Sequence, residues 1–191
     1  MYAKRFPIPE FNRDELKDME WTEPTFLSKD EIAKLVERQK SGDTGAYGGY
    51  AVQADDALYA KLKLEGDHRH AIMCVLPDKP VRVVGRSYAW AIQRGLVLDS
   101  LDPDGFEALA DWKTPRPMNT RLGPEDGISL DGSIVYAICC HGIGDHWVGN
   151  RTIVGREWRG MPSGQGLAIF SSYNPDVNDF HDCILYFEWP E

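Results

Sequence analysis

The side chains best suited to chemistry are concentrated in three short segments of the chain. All five histidines and all four cysteines fall within these segments. The first segment holds Asp67, His68, His70 and Cys74. The second holds Cys139, Cys140, His141, Asp145 and His146, and the third holds His181, Asp182 and Cys183. Imidazole, thiol and carboxylate groups bind transition metals and form nucleophilic sites, so the clustering suggests two kinds of chemistry.

Metal binding is the first kind. Side chains at positions i and i+2 of a strand share one face, so His68 and His70 are expected to present two imidazoles side by side. His146 or His141 supplies the third ligand in this hypothesis, and His146 is preferred. Three protein ligands and one open position are typical of catalytic zinc, and another divalent transition metal is also compatible with imidazole. The competing interpretation of His68 and His70 is a polar turn after Gly66, which involves no cofactor.

Nucleophilic catalysis by a cysteine is the second kind. Cys140 ends an apolar strand and faces a glycine-rich turn, which favours it as the nucleophile. His146 or His181 would act as the base, and Asp182 or Asp145 would orient that base, an arrangement that indicates a small hydrolase or transferase. The competing interpretation is that Cys140 belongs to the core, because cysteine is among the most frequently buried residues.

Charge is distributed unevenly along the chain. The formal net charge is -9 at pH 7. Residues 1–95 hold 15 basic and 15 acidic residues, so residues 96–191, with 6 basic and 15 acidic residues, carry the whole excess. A negative field repels nucleic acid and anionic lipid and attracts basic proteins. We therefore predict a basic protein partner, no direct binding of nucleic acid and no membrane association.

Aromatic residues and arginines indicate where such a partner would bind. Tyr47 and Tyr50 lie in the glycine-rich stretch of residues 42–50, which is predicted to be an exposed loop. A basic patch within the acidic half comprises Trp147, Arg151, Arg156, Trp158 and Arg159. Because these residue types anchor protein interfaces, the principal prediction is an acidic binding or inhibitor protein. It would occlude another macromolecule, basic or nucleic-acid-handling, as an immunity or anti-defence protein does. The alternative is the enzyme described above.

The pattern of apolar residues predicts a single α+β domain over residues 1–191. Antiparallel sheet is expected mainly in the C-terminal half, and three or four short helices mostly in the N-terminal half. The predicted helices are 29–40, with Ser28 and Glu31 as a capping box, then Asp55 or Asp56 to Leu64, and two short helices that follow Ser87 and Asp102. The predicted strands are 70–77, 80–85, 134–140, 147–154, 166–172 and 182–189.

The remaining segments complete the predicted organisation. Residues 1–24 are expected to form an extended N-terminal arm with a weak helix over 13–19. Residues 113–132 are expected to form a long irregular connection, of the kind that is often functional. No apolar stretch approaches about 20 residues, no secretory leader is evident, and four cysteines form no disulfide framework. The chain is therefore predicted to be cytoplasmic, with reduced thiols.

Overall fold

The protein is a β-sandwich with helices on one outer face. A computed structural model describes residue 21 and residues 23–143, 145–155, 164–174 and 180–190. The helix predicted over 13–19 lies outside these residues. The described part contains thirteen strands in two sheets and only two α-helices. No described helix has both the length and the apolar character needed to cross a membrane.

The elements follow one another in a mainly β order. The helices are α1 (Lys29–Lys40), a short 3-10 helix (Thr44–Ala46) and α2 (Asp56–Leu62). The first strands are β1 (Gly48–Gln53), β2 (Leu64–Glu65), β3 (His70–Val75), β4 (Val81–Arg86), β5 (Gln93–Leu98) and β6 (Ala108–Lys113). The others are β7 (Arg121–Leu122), β8 (Ile128–Leu130), β9 (Ile134–Ile143), β10 (His146–Gly149), β11 (Arg151–Gly155), β12 (Gly164–Ser172) and β13 (Cys183–Pro190).

Both helices begin where local chemistry places them. The Ser28 hydroxyl accepts a hydrogen bond from the Glu31 amide, and the Glu31 carboxylate accepts one from the Ser28 amide. This confirms the predicted capping box. The Asp55 carboxylate accepts from the Leu58 amide and begins α2. Each cap satisfies backbone donors that the helix itself leaves free.

The long strand β9 organises the first sheet. Its first half pairs with β3 and its second half with β10 along one edge, while β5 pairs with the other edge. Strands β1, β2 and β6 complete this seven-stranded sheet. The second sheet has the order β11-β12-β13-β4, and both β7 and β8 pair with β4. All of these pairs are antiparallel except β2 with β10.

Three apolar clusters hold these layers together. The largest fills the space between the sheets and combines residues of both, including Ile72, Val97, Ile169 and Leu185. A second cluster lies between the first sheet and the two helices. The third covers the outer face of the second sheet. The inner and outer faces of both sheets are therefore covered by apolar side chains.

The predicted α+β class is wrong, because two of the expected helices are absent. The segment after Ser87 leads into β5, which is buried along its whole length between β6 and β9. The segment after Asp102 leads into β6, an edge strand whose burial partly alternates. The apolar residues in this region that were interpreted as a helical pattern therefore belong to segments that lead into paired strands. The strands predicted over 134–140, 166–172 and 182–189 agree with β9, β12 and β13, but the single strand predicted over 147–154 is two strands, β10 in the first sheet and β11 in the second. Residues 113–132 contain the short strands β7 and β8.

Candidate functional site

Two crossover segments meet at one end of the sandwich. Residues 87–92 lead from β4 in the second sheet to β5 in the first, and residues 114–120 lead back from β6 to β7. The Ser87 amide donates to the Thr120 carbonyl at 3.2 Å, which joins the two segments. The Tyr88 amide donates to the His181 carbonyl, also at 3.2 Å. The backbone of this surface is therefore fixed on both sides.

An aromatic depression opens between these crossovers. It has a volume of about 200 Å³ and is lined by Tyr88, Ala89, Trp90, Met118 and Thr120. Trp90 is 72% exposed and Met118 is 60% exposed, and they are two of the three large apolar side chains exposed in the described residues. Met118 also has a positive φ of 62°, a backbone conformation that side chains other than glycine rarely adopt. Strained residues and exposed apolar groups are both common at binding sites.

A charged depression adjoins the aromatic one and shares Thr120 with it. Its volume is about 280 Å³, and its other lining residues are Arg86, Arg121 and Glu125. The antiparallel pairing of β4 with β7 places Arg86 and Arg121 directly opposite each other. Arg86 is half-buried, and burial lowers the pKa of its guanidinium. We refer to the aromatic and charged depressions together as the Trp90 groove.

A buried hydrogen-bond network lies in the sandwich near the crossovers, with Asn150 at its centre. The His141 Nδ1 lies 2.7 Å from the Asn150 carboxamide oxygen. The Asn150 Nδ2 donates to Gln93 Oε1 at 2.9 Å and to Ser171 Oγ at 3.0 Å. All four side chains are buried, and burial lowers the pKa of His141 although the Asn150 bond and the charge of Asp182 oppose this. A satisfied buried network of this kind fixes neighbouring strands relative to each other.

The network continues beneath Tyr88. The Ser171 hydroxyl donates to the Cys183 carbonyl, and the Asp182 amide donates to the Ser171 carbonyl. The His181 ring lies 6.0 Å from the Tyr88 ring. The aromatic side of the Trp90 groove is thus supported by rigid, buried polar contacts.

The predicted metal ligands are only partly brought together. The rings of His68 and His70 lie 6.5 Å apart, with the edge of one toward the face of the other. His146 is exposed, and its Nδ1 lies 2.5 Å from a carboxylate oxygen of Glu65. Within the described ranges no group of three or more His, Cys, Asp or Glu side chains is placed to hold an ion. The predicted zinc or other transition-metal binding is therefore not supported.

The predicted cysteine hydrolase is not supported either. Cys140 is fully buried in the cluster beneath the helices, and burial raises the pKa of its thiol. Its thiol donates to the Arg94 carbonyl at 3.5 Å. His181 and Asp182 are neighbours, with His181 Nδ1 3.5 Å from Asp182 Oδ1, and the Asp182 carboxylate accepts from the Tyr173 amide. A nucleophilic thiol must be exposed and acidic, and Cys140 is neither.

The predicted interface residues are mostly occupied within the fold. Tyr47 packs against Trp189, and the Tyr50 hydroxyl donates to the Ala46 carbonyl. Trp147 lies against the cationic groups of Arg94 and Lys113, at 5.4 and 5.6 Å from the ring centre.

Arg151 is likewise engaged, although its sequence neighbourhood suggested a basic patch. It is buried and donates to the Asn174 carbonyl at 2.6 Å. Arg156, Trp158 and Arg159 lie outside the described residues. The glycine-rich stretch around Tyr47 and Tyr50 forms β1 and the turn before it rather than an exposed loop.

Comparison with known proteins gives a limited result. The sequence matches no family model, and no curated protein sequence is significantly similar to it. Among solved structures, a high-affinity mannose-binding lectin of Ralstonia solanacearum has a TM-score of 0.47 and 16% identity. The C-terminal domain of the BC2L-C lectin from Burkholderia cenocepacia has a TM-score of 0.46 and 18% identity. The Chromobacterium violaceum lectin CV2L, in complex with alpha-methyl-fucoside, has a TM-score of 0.43 and 15% identity.

These similarities cover the same share of this chain. Each extends over 62% of it, and over 96%, 95% and 96% of the three lectins respectively. All three are lectins. The prediction of an acidic inhibitor of another macromolecule is wrong. The geometry gives the physical reason, because Tyr47, Tyr50, Trp147 and Arg151 are engaged within the fold. A protein partner is not shown.

The Trp90 groove was not predicted from the sequence. Trp90 was assigned to a short helix, and Met118, Thr120, Arg121 and Glu125 were not distinguished from their neighbours. One observation pointed toward them, since residues 113–132 form an unusually long connection and such connections are often functional. The partner segment of residues 86–90 is identified only once β4 and β7 are known to pair.

Proposed function

We propose that the chain is a carbohydrate-binding protein whose ligand occupies the Trp90 groove. The observation that carries this proposal is Trp90 itself, a large aromatic side chain that is 72% exposed on a fixed backbone. Burial of this ring is not needed for the core, so its exposure has a cost that a ligand would remove. A pyranose ring presents a flat apolar face of C–H groups, which suits an exposed aromatic ring.

The polar residues of the groove suit the rest of a sugar. Sugar hydroxyls are both donors and acceptors, and they need a mixture of partners at close range. Arg86 and Arg121 supply donors, Glu125 supplies acceptors, and the Thr120 hydroxyl can do either. A site with one apolar platform and a few polar groups is typical of small-ligand recognition.

The size of the groove also favours an oligosaccharide. Its two depressions, of about 200 and 280 Å³, each fall below the roughly 300 Å³ at which pockets for drug-sized ligands begin. Each therefore suits one ring-sized group. Because they share Thr120, two consecutive sugar rings can occupy them side by side, one on Trp90 and the next beside the arginines.

Binding to an array of neutral and acidic oligosaccharides, followed by calorimetry with the best ligand, tests the proposal. The informative variant is Trp90→Ala, and the matched control is Ile143→Ala, because Ile143 is 59% exposed but does not line the groove. A sugar that covers about 80 Å² of the indole gains about 2 kcal/mol. W90A should therefore weaken binding by about 30-fold, with I143A unchanged. An array on which nothing binds, or equal affinity of W90A and the native chain, would refute the proposal.

A further inference from the structure

The charged half of the Trp90 groove contains two guanidinium groups, those of Arg86 and Arg121, that form no ion pair with the described residues. Elsewhere in the chain, Arg38, Arg82 and Arg94 hold carboxylate oxygens at 2.8, 2.9 and 2.8 Å respectively. No such ion pair involves Arg86 or Arg121 in the part of the chain that the structure describes. In a protein with a net charge of -9, two adjacent arginines that form no ion pair among the described residues make a local basic site, and Glu125 is the carboxylate that lines the same depression.

Their positions make them act together. They face each other across the β4–β7 pair and line the same depression. Arg86 donates a hydrogen bond from one guanidinium nitrogen to the Gly85 carbonyl at 2.8 Å, and Arg121 donates one from Nε to the Gly123 carbonyl at 3.3 Å. These backbone contacts fix both side chains and leave other N–H groups of each guanidinium for a ligand. Half-burial of Arg86 removes hydration that a bound anion would replace.

We propose, as an extension of the proposed function, that the bound carbohydrate is an acidic sugar whose carboxylate binds between Arg86 and Arg121 while a sugar ring lies on Trp90. The planar fork of arginine matches a carboxylate through two parallel hydrogen bonds. Glu125, which lines the same depression, accepts from hydroxyls and disfavours a second anion there. The net charge of -9 likewise opposes ligands of high charge density such as sulfated polymers. A uronic acid has one carboxylate per ring, so it places a single anion in the depression and has a lower charge density than a sulfated polymer.

The test compares two ligands that differ only in their carboxylates. Trigalacturonate and its carboxyl-reduced counterpart, a neutral trigalactoside, are titrated into the full chain by calorimetry. The native chain should bind trigalacturonate at least about tenfold more tightly, since a charged hydrogen-bonded pair is lost with the reduced ligand. A sulfated galactan oligosaccharide of the same length serves as a third ligand.

Three variants identify the residues responsible. Arg121→Gln should weaken trigalacturonate binding about tenfold or more and remove the preference over the neutral ligand. Arg86→Lys keeps the charge but not the planar fork, so it should weaken trigalacturonate binding severalfold. Arg116→Gln is the control, because Arg116 is exposed on the same connection but does not line the groove. Arg121 is exposed, so urea unfolding should show that R121Q folds as stably as the native chain.

The outcomes separate this inference from the proposed function. Equal binding of the charged and neutral ligands, with loss only in W90A, overturns the acidic-sugar assignment and leaves carbohydrate binding intact. Preference for the sulfated ligand also overturns the assignment of a carboxylate. Selective trigalacturonate binding that R121Q removes and W90A does not supports the arginine site but contradicts the stacking role of Trp90. Failure to bind any oligosaccharide refutes both.

Discussion

Replacement of Asn150 by alanine is expected to lower the free energy of unfolding by about 3 kcal/mol. The Asn150 side chain is 2% exposed and contacts His141, Gln93 and Ser171 at 2.7, 2.9 and 3.0 Å. Without the Asn150 side chain, His141 Nδ1 and the side-chain oxygen Oε1 of Gln93 lose their hydrogen-bond partners in a buried environment. Each buried polar group left unpaired costs about 1–3 kcal/mol, and the Ser171 hydroxyl retains its bond to the Cys183 carbonyl.

Urea unfolding at pH 7 measures this effect. Asn119→Ala is the matched control, because the Asn119 carboxamide accepts only the Arg121 amide among the described residues and lies nearer the surface. It should cost about 1 kcal/mol or less. The slope of the unfolding free energy with urea should be the same in both variants and the native chain. A loss below about 1 kcal/mol in N150A would refute the argument that this network stabilises the end of the sandwich beneath the Trp90 groove.

Two further predictions concern buried titratable groups. Burial, with a smaller effect from His68, lowers the pKa of His70 from 6.5 to about 4. The unfolded chain therefore binds more protons between these pH values, and the free energy of unfolding should fall by up to about 3 kcal/mol as the pH drops from 6.5 to 4. Urea titrations across this range should show the fall, and His70→Phe should flatten it; an equal slope in H70F would assign the effect to other groups. Thiol reagents at pH 7 should label no cysteine until the chain unfolds, whereas rapid labelling of the native protein would contradict the burial of Cys74, Cys139, Cys140 and Cys183.

The sequence predicted correctly the elements whose ends are determined by residues close together in the chain. The capping box of Ser28 and Glu31 and the cap at Asp55 involve residues three positions apart, so they are visible in the sequence. The strands of the last third are bounded by glycine, proline and asparagine, which also act locally. These predictions are confirmed by α1, α2 and strands β9, β12 and β13, whereas the strand predicted over 147–154 is divided between β10 and β11 in different sheets.

The class of the fold depended on contacts that no local pattern reveals. Strand β5 is central because it pairs with β6 on one side and β9 on the other, and its pairs with β9 join residues 38 to 48 positions apart. Short apolar stretches fit a buried strand and a helix equally well, so the segments after Ser87 and Asp102 were predicted as helices although they lead into β5 and β6. Pairing with strands distant in the chain determines that β5 and β6 are strands rather than helices.

The Trp90 groove was hidden for a related reason. Arg86 and Arg121 are neighbours because β4 pairs with β7, and Trp90 lies on residues 87–92, which cross between the sheets. The histidines and cysteines that stood out in the sequence are mostly buried by packing, and none of the four cysteines is exposed. The cytoplasmic location and the single domain remain predictions.

NMR titration of the tryptophan indole N–H resonances tests the central claim most directly. With the oligosaccharide that binds best on the array, the Trp90 resonance, assigned by its absence in Trp90→Phe, should shift progressively to saturation. The Trp147 resonance should remain in place, because its ring is engaged with Arg94 and Lys113. Saturation of the protein with sugar while the Trp90 resonance stays unmoved would contradict the claim that this groove binds carbohydrate.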